Sequence, residues 1–379
     1  MKIFQMFKIY WPDNAGGIAK VMEDVSASFR SVNQSMIVCR AKKGEKTGWD
    51  NYQGIKVLRC RQLVDVFSTP VSIDFIRYAG HCIKSEDIVI YHFPYPMVDL
   101  AICMRQIQGR LIVWWHCDIG NHRFLMQIYK KMIYHTLERA ERIVVSSPGI
   151  IKHSCYLQQY ADKCRVIPFC VDDSYIEKGV RSFLDVSEKK EITILFVGRL
   201  VWYKGCHILL KAFQKMRNKK CRLVIAGSGP MEKELRKLAV RLHVDEKVCF
   251  EGRVSEVRKQ QLLAECDFFV LPAVSKAEAF GIVQIEAMAF GKPVINTDLP
   301  SGVPEVSRHG ITGITVVPGS ITELAGAMEK LAGNAQLRQI YGKNAIRRVV
   351  DKYTQEQMYI KCRQLIEELN NSENKLKRL

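Results

Sequence analysis

Two glutamates eight residues apart, Glu278 and Glu286, enclose the stretch Glu278-Ala-Phe-Gly-Ile-Val-Gln-Ile-Glu286, just after the apolar strand 268–272. Phe280-Gly281 opens an apolar run to Phe290 that Gly291 and Pro293 stop. That pattern predicts a short buried helix starting at Ile282. A helix start presents unpaired N–H groups and partial positive charge, a seat for phosphate. Glu286 lies further inside the same helix. A carboxylate among apolar side chains is costly unless hydrogen-bonded, and vicinal sugar hydroxyls supply such bonds. The competing reading is a capping glutamate and a second one on a solvated face.

Other strand ends favour the ligand reading. The strand 193–197 runs into Gly198-Arg-Leu-Val-Trp-Tyr-Lys-Gly205, so Arg199 and Lys204 emerge together before a helix. Two cations there can neutralise a diphosphate, Arg199 through its planar fork and Lys204 as a point charge. Glycine turns follow the next strands at Gly227-Ser-Gly-Pro230 and at Gly252-Arg253-Val254. In the first half, Gly16-Gly17 permits close backbone approach to phosphate, but Gly-x-Gly-x-x-Gly is absent and nothing supports a nicotinamide site. His116 and Asp118 leave another strand, where His116 can touch a reacting sugar and Asp118 can orient it or meet an acceptor. The aromatic, proline-stiffened loop containing His92 and Tyr95 can wall the acceptor site. No Asp-x-Asp occurs, so a metal-clamped diphosphate is not expected. Its charge falls to Arg199, Lys204 and the helix start at Gly281, with no metal and no cofactor.

The elements that must hold these residues are alternating strands and helices. Strands are expected at 2–7, 35–39, 54–58, 87–91, 111–115, 142–146 and 164–167. A second series is expected at 192–198, 222–226, 248–250, 268–271, 293–296 and 314–317. This is an α/β pattern of two doubly wound, Rossmann-like domains facing across a cleft at their strand ends. The expected domains are 1–184 and 185–354, with a polar connector over 175–190 and polar final residues, 370–379. The chain has 379 residues, enough for two cores, and 47% are hydrophobic.

The formal charge of +18 draws the chain to phosphorylated substrates or an anionic membrane surface. Nucleic acid is not expected, because zinc-finger spacing and RNA-binding aromatic motifs are absent. Thirteen cysteines, an odd number without Cys-x-x-Cys, imply reduced thiols in the cytosol. Cys249 and Cys266 read as small core residues. No apolar run is long enough to span a bilayer. The segment 123–134 mixes basic, aromatic and apolar residues, and reads either as a membrane-surface helix or as an ordinary core-facing one.

Together, Gly198-Arg-Leu, Lys204-Gly205, Ile225-Ala-Gly-Ser-Gly-Pro230, Glu278-Ala-Phe-Gly, Glu286-Ala-Met-Ala, Gly291-Lys-Pro-Val294 and Gly310-Ile-Thr-Gly313 resemble the nucleotide-binding domain of glycosyltransferase family 4, which has the GT-B fold. Gly16-Gly17, His116 and Ser146-Ser147 extend the resemblance loosely into the first half. It implies a hexosyltransferase that moves a sugar, with retention, from a nucleotide diphosphate to a hydroxyl acceptor. It also implies that Arg199 and Lys204 hold the diphosphate and Glu286 the ribose. Glu278, Phe280, Gly281 and Ile282 would meet the donor, Gly252 to Val254 the base, and His116 the anomeric carbon. The family's usual Asn-Gly after Ile-Pro is Phe169-Cys170 here, which puts contacts from that loop in doubt. The stretches 276–281 and 299–310 look most like bacterial mannosyl- and rhamnosyltransferases of lipopolysaccharide or capsule assembly. These commonly use GDP-sugars and lipid-linked acceptors at the inner face of the cytoplasmic membrane. The fold further implies that the helix at 355–370 packs back onto the first domain. Alternatives left open are a UDP-sugar enzyme and a non-catalytic sugar-nucleotide-binding subunit.

Overall fold

The computed structural model describes residues 1–13, 16–66, 69–119, 125–184, 191–218 and 220–376. The chain divides into two compact units, one made of Met1–Pro168 with Met358–Leu379, the other of Phe169–Gln357.

The first unit holds β1 (Ile3–Met6), β2 (Gln34–Lys43), β3 (Gly48–Tyr52), β4 (Ile55–Gln62), β5 (Val64–Val66), β6 (Thr69–Val71), β7 (Ile88–Phe93), β8 (Arg110–Trp115), β9 (Arg142–Val145) and β10 (Cys164–Val166). Eight of these form one sheet in the order β10-β9-β8-β7-β1-β2-β4-β3, while β5 and β6 pair separately. All neighbours in the large sheet are parallel except the β3–β4 hairpin. A parallel sheet covered on both faces needs uninterrupted apolar strands. Accordingly all six residues of β7 are buried.

The second unit holds β11 (Ile192–Val197), β12 (Cys221–Ala226), β13 (Val248–Gly252), β14 (Phe268–Val270), β15 (Val294–Thr297) and β16 (Gly313–Val316). They pair in the order β13-β12-β11-β14-β15-β16, all parallel. Its core is built from Ile194, Phe196, Leu209, Leu223, Ile225, Phe268 and their neighbours. In each unit the strand order reverses beside the first strand, between β1 and β7 and between β11 and β14. Ligands of open α/β sheets lie outside the strands' carboxyl ends at that point.

Every expected strand is present, and β3, β5 and β6 are additional. Residues 175–184 differ from the expected polar connector: they belong to the helix Asp173–Leu184, and the compact units divide at 168/169 rather than 184/185. Tyr175, Gly179 and Phe183 recur every fourth residue and form its inner face. A Cβ on Gly179 would meet the Ala289 carbonyl carbon at 2.6 Å, so backbone packs directly on backbone. Those contacts tie the helix to the second unit. Residues 185–190 of the expected connector lie outside the described residues. The chain ends in the helix Gln355–Leu376, whose residues from Met358 group with the first unit. There the Leu369 carbonyl accepts from Arg110 Nη2 at 2.9 Å, and Glu368 meets Arg165 at 2.9 Å.

Candidate active site

In the second unit, glycine turns bring the ends of β11, β12 and β14 together. The Gly227 N–H donates to the Gly252 carbonyl at 2.7 Å, and Leu200 N–H to the Ser228 carbonyl at 3.0 Å. Val274 N–H donates to the Tyr203 carbonyl at 2.8 Å, joining the loop after β11 to the loop after β14. This junction unites two expected site residues: Lys204 Nζ forms an ion pair with Glu278 Oε2. Both side chains are largely buried, 14% and 9% exposed. Burial is the largest influence on Lys204 and works against its charge, yet the attraction of Glu278 outweighs it and the lysine pKa is raised. Arg199 stands exposed at the end of β11, and its guanidinium has no partner among the described residues.

Gly281, at φ +74°, caps the expected helix, which runs Ile282–Ala289 and has no side-chain cap on its first N–H groups. A buried amide network fixes this turn. Gln284 Nε2 donates to the Phe280 carbonyl at 2.9 Å, and Asn296 Nδ2 donates to Gln284 Oε1 at 2.9 Å and to the Val303 carbonyl at 3.0 Å. Phe280 is buried edge-on against Phe169 with centroids 5.1 Å apart. The Phe169-Cys170 pair, where the family pattern has Asn-Gly, is thus an apolar, buried support. Glu286 is held by Lys259 Nζ at 2.9 Å, a partner that sequence spacing did not indicate. Lys259 also reaches Glu256 at 3.1 Å and lies over the Tyr175 ring. Arg253 is exposed and Val254 half-buried beyond β13.

In the first unit, Gly16 caps the helix Gly17–Ser28 in extended conformation, while Asn14 and Ala15 lie outside the described residues. His116 follows β8 and is 6% exposed. Its Nε2 lies 3.0 Å from His92 Nδ1. His92 and Tyr95 were expected to wall an acceptor site, but both are fully buried. His92 is bonded on both ring nitrogens, and the Tyr95 hydroxyl donates to the Pro70 carbonyl at 2.8 Å. They support the strand ends from inside. Asp118 accepts from Trp115 Nε1 at 3.1 Å and from Ser154 Oγ at 2.7 Å.

Two further expectations change. Cys249 is exposed, because β13 is an edge strand and alternation turns this residue outward, while Cys266 is buried as expected. Of the basic segment, Arg123 and Phe124 lie outside the described residues. The rest falls in the helix Leu125–Arg139, with Ile133 and Leu137 buried and Lys130 and Lys131 exposed. Among the described residues no helix is long and apolar enough to cross a membrane, and no three His, Cys, Asp or Glu side chains gather as metal ligands.

Burial pushes the His116 pKa down to about 3 and His92 well below 6.5, with neighbouring His116 a second cause for His92. Buried Asp99 moves the other way, up to about 6, despite accepting hydrogen bonds from Tyr129, Tyr91 and Thr136. The signs follow from proton linkage. Depressed histidines stabilise the fold fully above their unfolded pKa, and that contribution is lost as pH falls below it. Asp99 gains stability on acidification between its folded and unfolded values. Two depressed histidines against one raised carboxyl predict that the first unit loses stability as pH falls from about 6 towards about 4. Urea unfolding followed by tryptophan fluorescence measures this, since Trp11, Trp49, Trp114 and Trp115 lie in the first unit and only Trp202 in the second. A midpoint that stays level over that range contradicts it.

Two such Rossmann-type units define the GT-B fold, shared with sucrose-phosphate synthase from Thermosynechococcus elongatus at a TM-score of 0.79 and 18% identity, covering 98% of this chain and 100% of that one. The family model for glycosyl transferases group 1 matches residues 183–348. The chain is 30% identical over 359 residues to the O-antigen chain mannosyltransferase C of Escherichia coli, covering 94% of this chain and 96% of that protein. It is 31% identical over 356 residues to the D-rhamnosyltransferase WbpZ of Pseudomonas aeruginosa, covering 93% and 92%. The chain belongs to the group 1 glycosyltransferases and is a hexosyltransferase.

Proposed function

We propose that this enzyme transfers a mannose- or rhamnose-type hexosyl group, with retention, from a GDP-linked donor to a lipid-linked saccharide of a lipopolysaccharide, O-antigen or capsule. The observation that carries the reading is near full-length likeness to two transferases, one named for mannose in an O-antigen chain and one for D-rhamnose. Arg199 and Lys204 stabilise the leaving diphosphate together with the N–H groups at Gly281 and Ile282. That stabilisation is the largest catalytic contribution. The leaving group helps take the acceptor proton on the same face of the sugar. Glu278 and Phe280 adjoin the donor sugar, Glu286 binds the ribose, and Gly227, Arg253 and Val254 adjoin the nucleotide. In the first unit, Gly16, Gly17 and His116 are assigned to the donor and Asp118 to the acceptor.

The net charge of +18 suits an anionic acceptor and peripheral attachment at the inner face of the cytoplasmic membrane. Protein cations meet the diphosphate in place of a divalent ion, in keeping with a sequence that lacks Asp-x-Asp. Turnover is therefore expected to survive exhaustive chelation. Loss of activity with chelator, restored by a divalent ion, refutes this. Thermal-shift measurements with GDP, UDP and ADP, followed by transfer assays with their sugars, test the donor. A response to UDP alone overturns the GDP assignment.

Glu286→Ala is expected to weaken binding of the free nucleotide diphosphate by about 10-fold, the worth of a charged hydrogen bond to ribose. Calorimetry measures this directly. Because Lys259 would be left without its 2.9 Å partner, Glu286→Gln is the companion variant. An unchanged Kd in both removes the ribose role.

A further inference from the structure

The hairpin β5–β6 pairs apart from the large sheet of the first unit, and its two faces differ. Val64 lies level with Val71, Asp65 with Pro70 and Val66 with Thr69. Alternation therefore puts Asp65 and Pro70 on one face and Val64, Val66, Thr69 and Val71 on the other. The first face turns inward at Pro70, which is buried and whose carbonyl accepts from the buried Tyr95 hydroxyl at 2.8 Å. The second turns outward, with Val64 and Val66 each 45% exposed. The exposed Leu63 is tied to this face by its N–H, which donates to the Val71 carbonyl at 2.9 Å. Ile73, which opens the helix Ile73–Cys82 two residues on, is 67% exposed. Contiguous apolar surface of this kind marks an interaction site.

Cations border that face. β2 ends in Lys42-Lys43, and Lys43 lies level with Gln62 at the end of β4. The Arg61 N–H donates to Thr47 Oγ1 at 2.8 Å, and the Thr47 hydroxyl donates to Asp74. Thr47 thus joins the end of β4 to the helix start that carries Ile73, and brings its neighbour Lys46 to the same place. Lys42, Lys43, Lys46 and Arg61 are all exposed. Of the acids nearby, Asp74 accepts the Thr47 bond, Glu45 lies 3.7 Å from Arg40, and Asp65 is on the hairpin's other face. Because β2 and β4 run parallel to β8, the hairpin and its cations stand at the same carboxyl edge of the sheet as His116 and Asp118.

We propose that the outward face of β5–β6, together with Ile73, is the surface by which this enzyme docks on an anionic lipid bilayer. Val64, Val66 and Ile73 enter the interface, and Lys42, Lys43, Lys46 and Arg61 meet headgroup phosphates. Apolar insertion and basic attraction act together at such surfaces, where one contribution alone holds weakly. The charge also selects a bilayer over a second copy of the chain. A symmetric contact through this face would set the four cations against their own copies, in a chain of net charge +18. Docking this way turns the sheet's carboxyl edge toward the bilayer, where a lipid-linked saccharide is presented. The proposal rests on the peripheral attachment put forward above and names the surface responsible.

The test is flotation of the full-length enzyme with vesicles of phosphatidylcholine alone, or of phosphatidylcholine and phosphatidylglycerol in equal amounts. Wild type is expected to bind the anionic vesicles and not the neutral ones. Lys42→Gln with Lys43→Gln is expected to weaken that binding by about 5-fold for each lysine removed. Ile73→Glu is expected to weaken it by about 10-fold or more. Residue 73 lies in the first turn of its helix, where an acid is favoured, so the fold is retained. Val64→Ser with Val66→Ser is the companion variant outside that helix. Transfer to a water-soluble acceptor saccharide is expected to stay unchanged in all of them. Wild type that fails to bind the anionic vesicles overturns the proposal and the peripheral attachment with it. Undiminished binding by both Ile73→Glu and the serine pair overturns this surface alone and leaves attachment standing. A wild-type dimer made monomeric by Ile73→Glu, read by light scattering, assigns the face to a second copy and likewise overturns it. The GDP reading is decided by the transfer assays and is untouched by any of these results.

Discussion

Lys204→Ala is expected to lower sugar transfer by about 10²-fold or more and, separately, to destabilise the second unit. The two effects have different physical origins. The catalytic one is the loss of a cation from the leaving diphosphate. The structural one arises because Glu278 is left buried and charged without its partner, a disruption that costs about 3–5 kcal/mol for a buried pair. A second substitution separates them. In Lys204→Met with Glu278→Gln both charges are gone, and chemical denaturation is expected to show most of the stability restored while transfer stays low. Arg199→Ala is the converse case. Its side chain is exposed, so turnover is expected to fall by about 10²-fold with unchanged stability. Normal transfer by the Lys204→Met, Glu278→Gln enzyme makes Lys204 a structural tie for Glu278, and the diphosphate assignment then fails.

The pair also shows what the sequence could reveal. Lys204 and Glu278 stand out in the sequence because each follows an apolar strand, Lys204 directly before Gly205 and Glu278 three residues before Gly281, and the structure joins them in one ion pair. Their direct contact was not legible, since it depends on β11 and β14 being neighbours, which follows from sheet order rather than spacing. Lys259, the partner of Glu286, lies 27 residues away in another helix and carried no local signal. His92 and Tyr95 misled because a strand exit rich in aromatic residues resembles a ligand wall. Their polar atoms instead serve hydrogen bonds inside the unit. The helix Asp173–Leu184 was hidden by its charged outer face, although Tyr175, Gly179 and Phe183 already held the four-residue spacing. The hairpin strand β3 was missed because half-exposed edge strands need little apolar sequence.

Gly205→Ala is expected to reduce transfer by about 10²-fold even though residue 205 contributes no side-chain chemistry. Gly205 has φ +74°, and a Cβ there would sit 2.8 Å from the Pro272 carbonyl carbon, well inside normal contact. Pro272 belongs to the loop after β14 that leads to Glu278, while Gly205 directly follows Lys204. Relieving the clash must therefore move the cation, the carboxylate or both. A displacement near 1 Å is enough for a loss of about that size. Gly319 separates this cause from backbone strain. It has a similar φ of +80°, yet nothing lies within 4 Å of an added Cβ. Gly319→Ala is expected to carry only the left-handed penalty of about 1–2 kcal/mol, with transfer kinetics preserved. Equal losses of transfer in the two variants would trace the defect to strain or unfolding. A loss confined to Gly205→Ala, with calorimetric binding of GDP weakened in parallel, ties the contact between the two loops to the seating of the diphosphate.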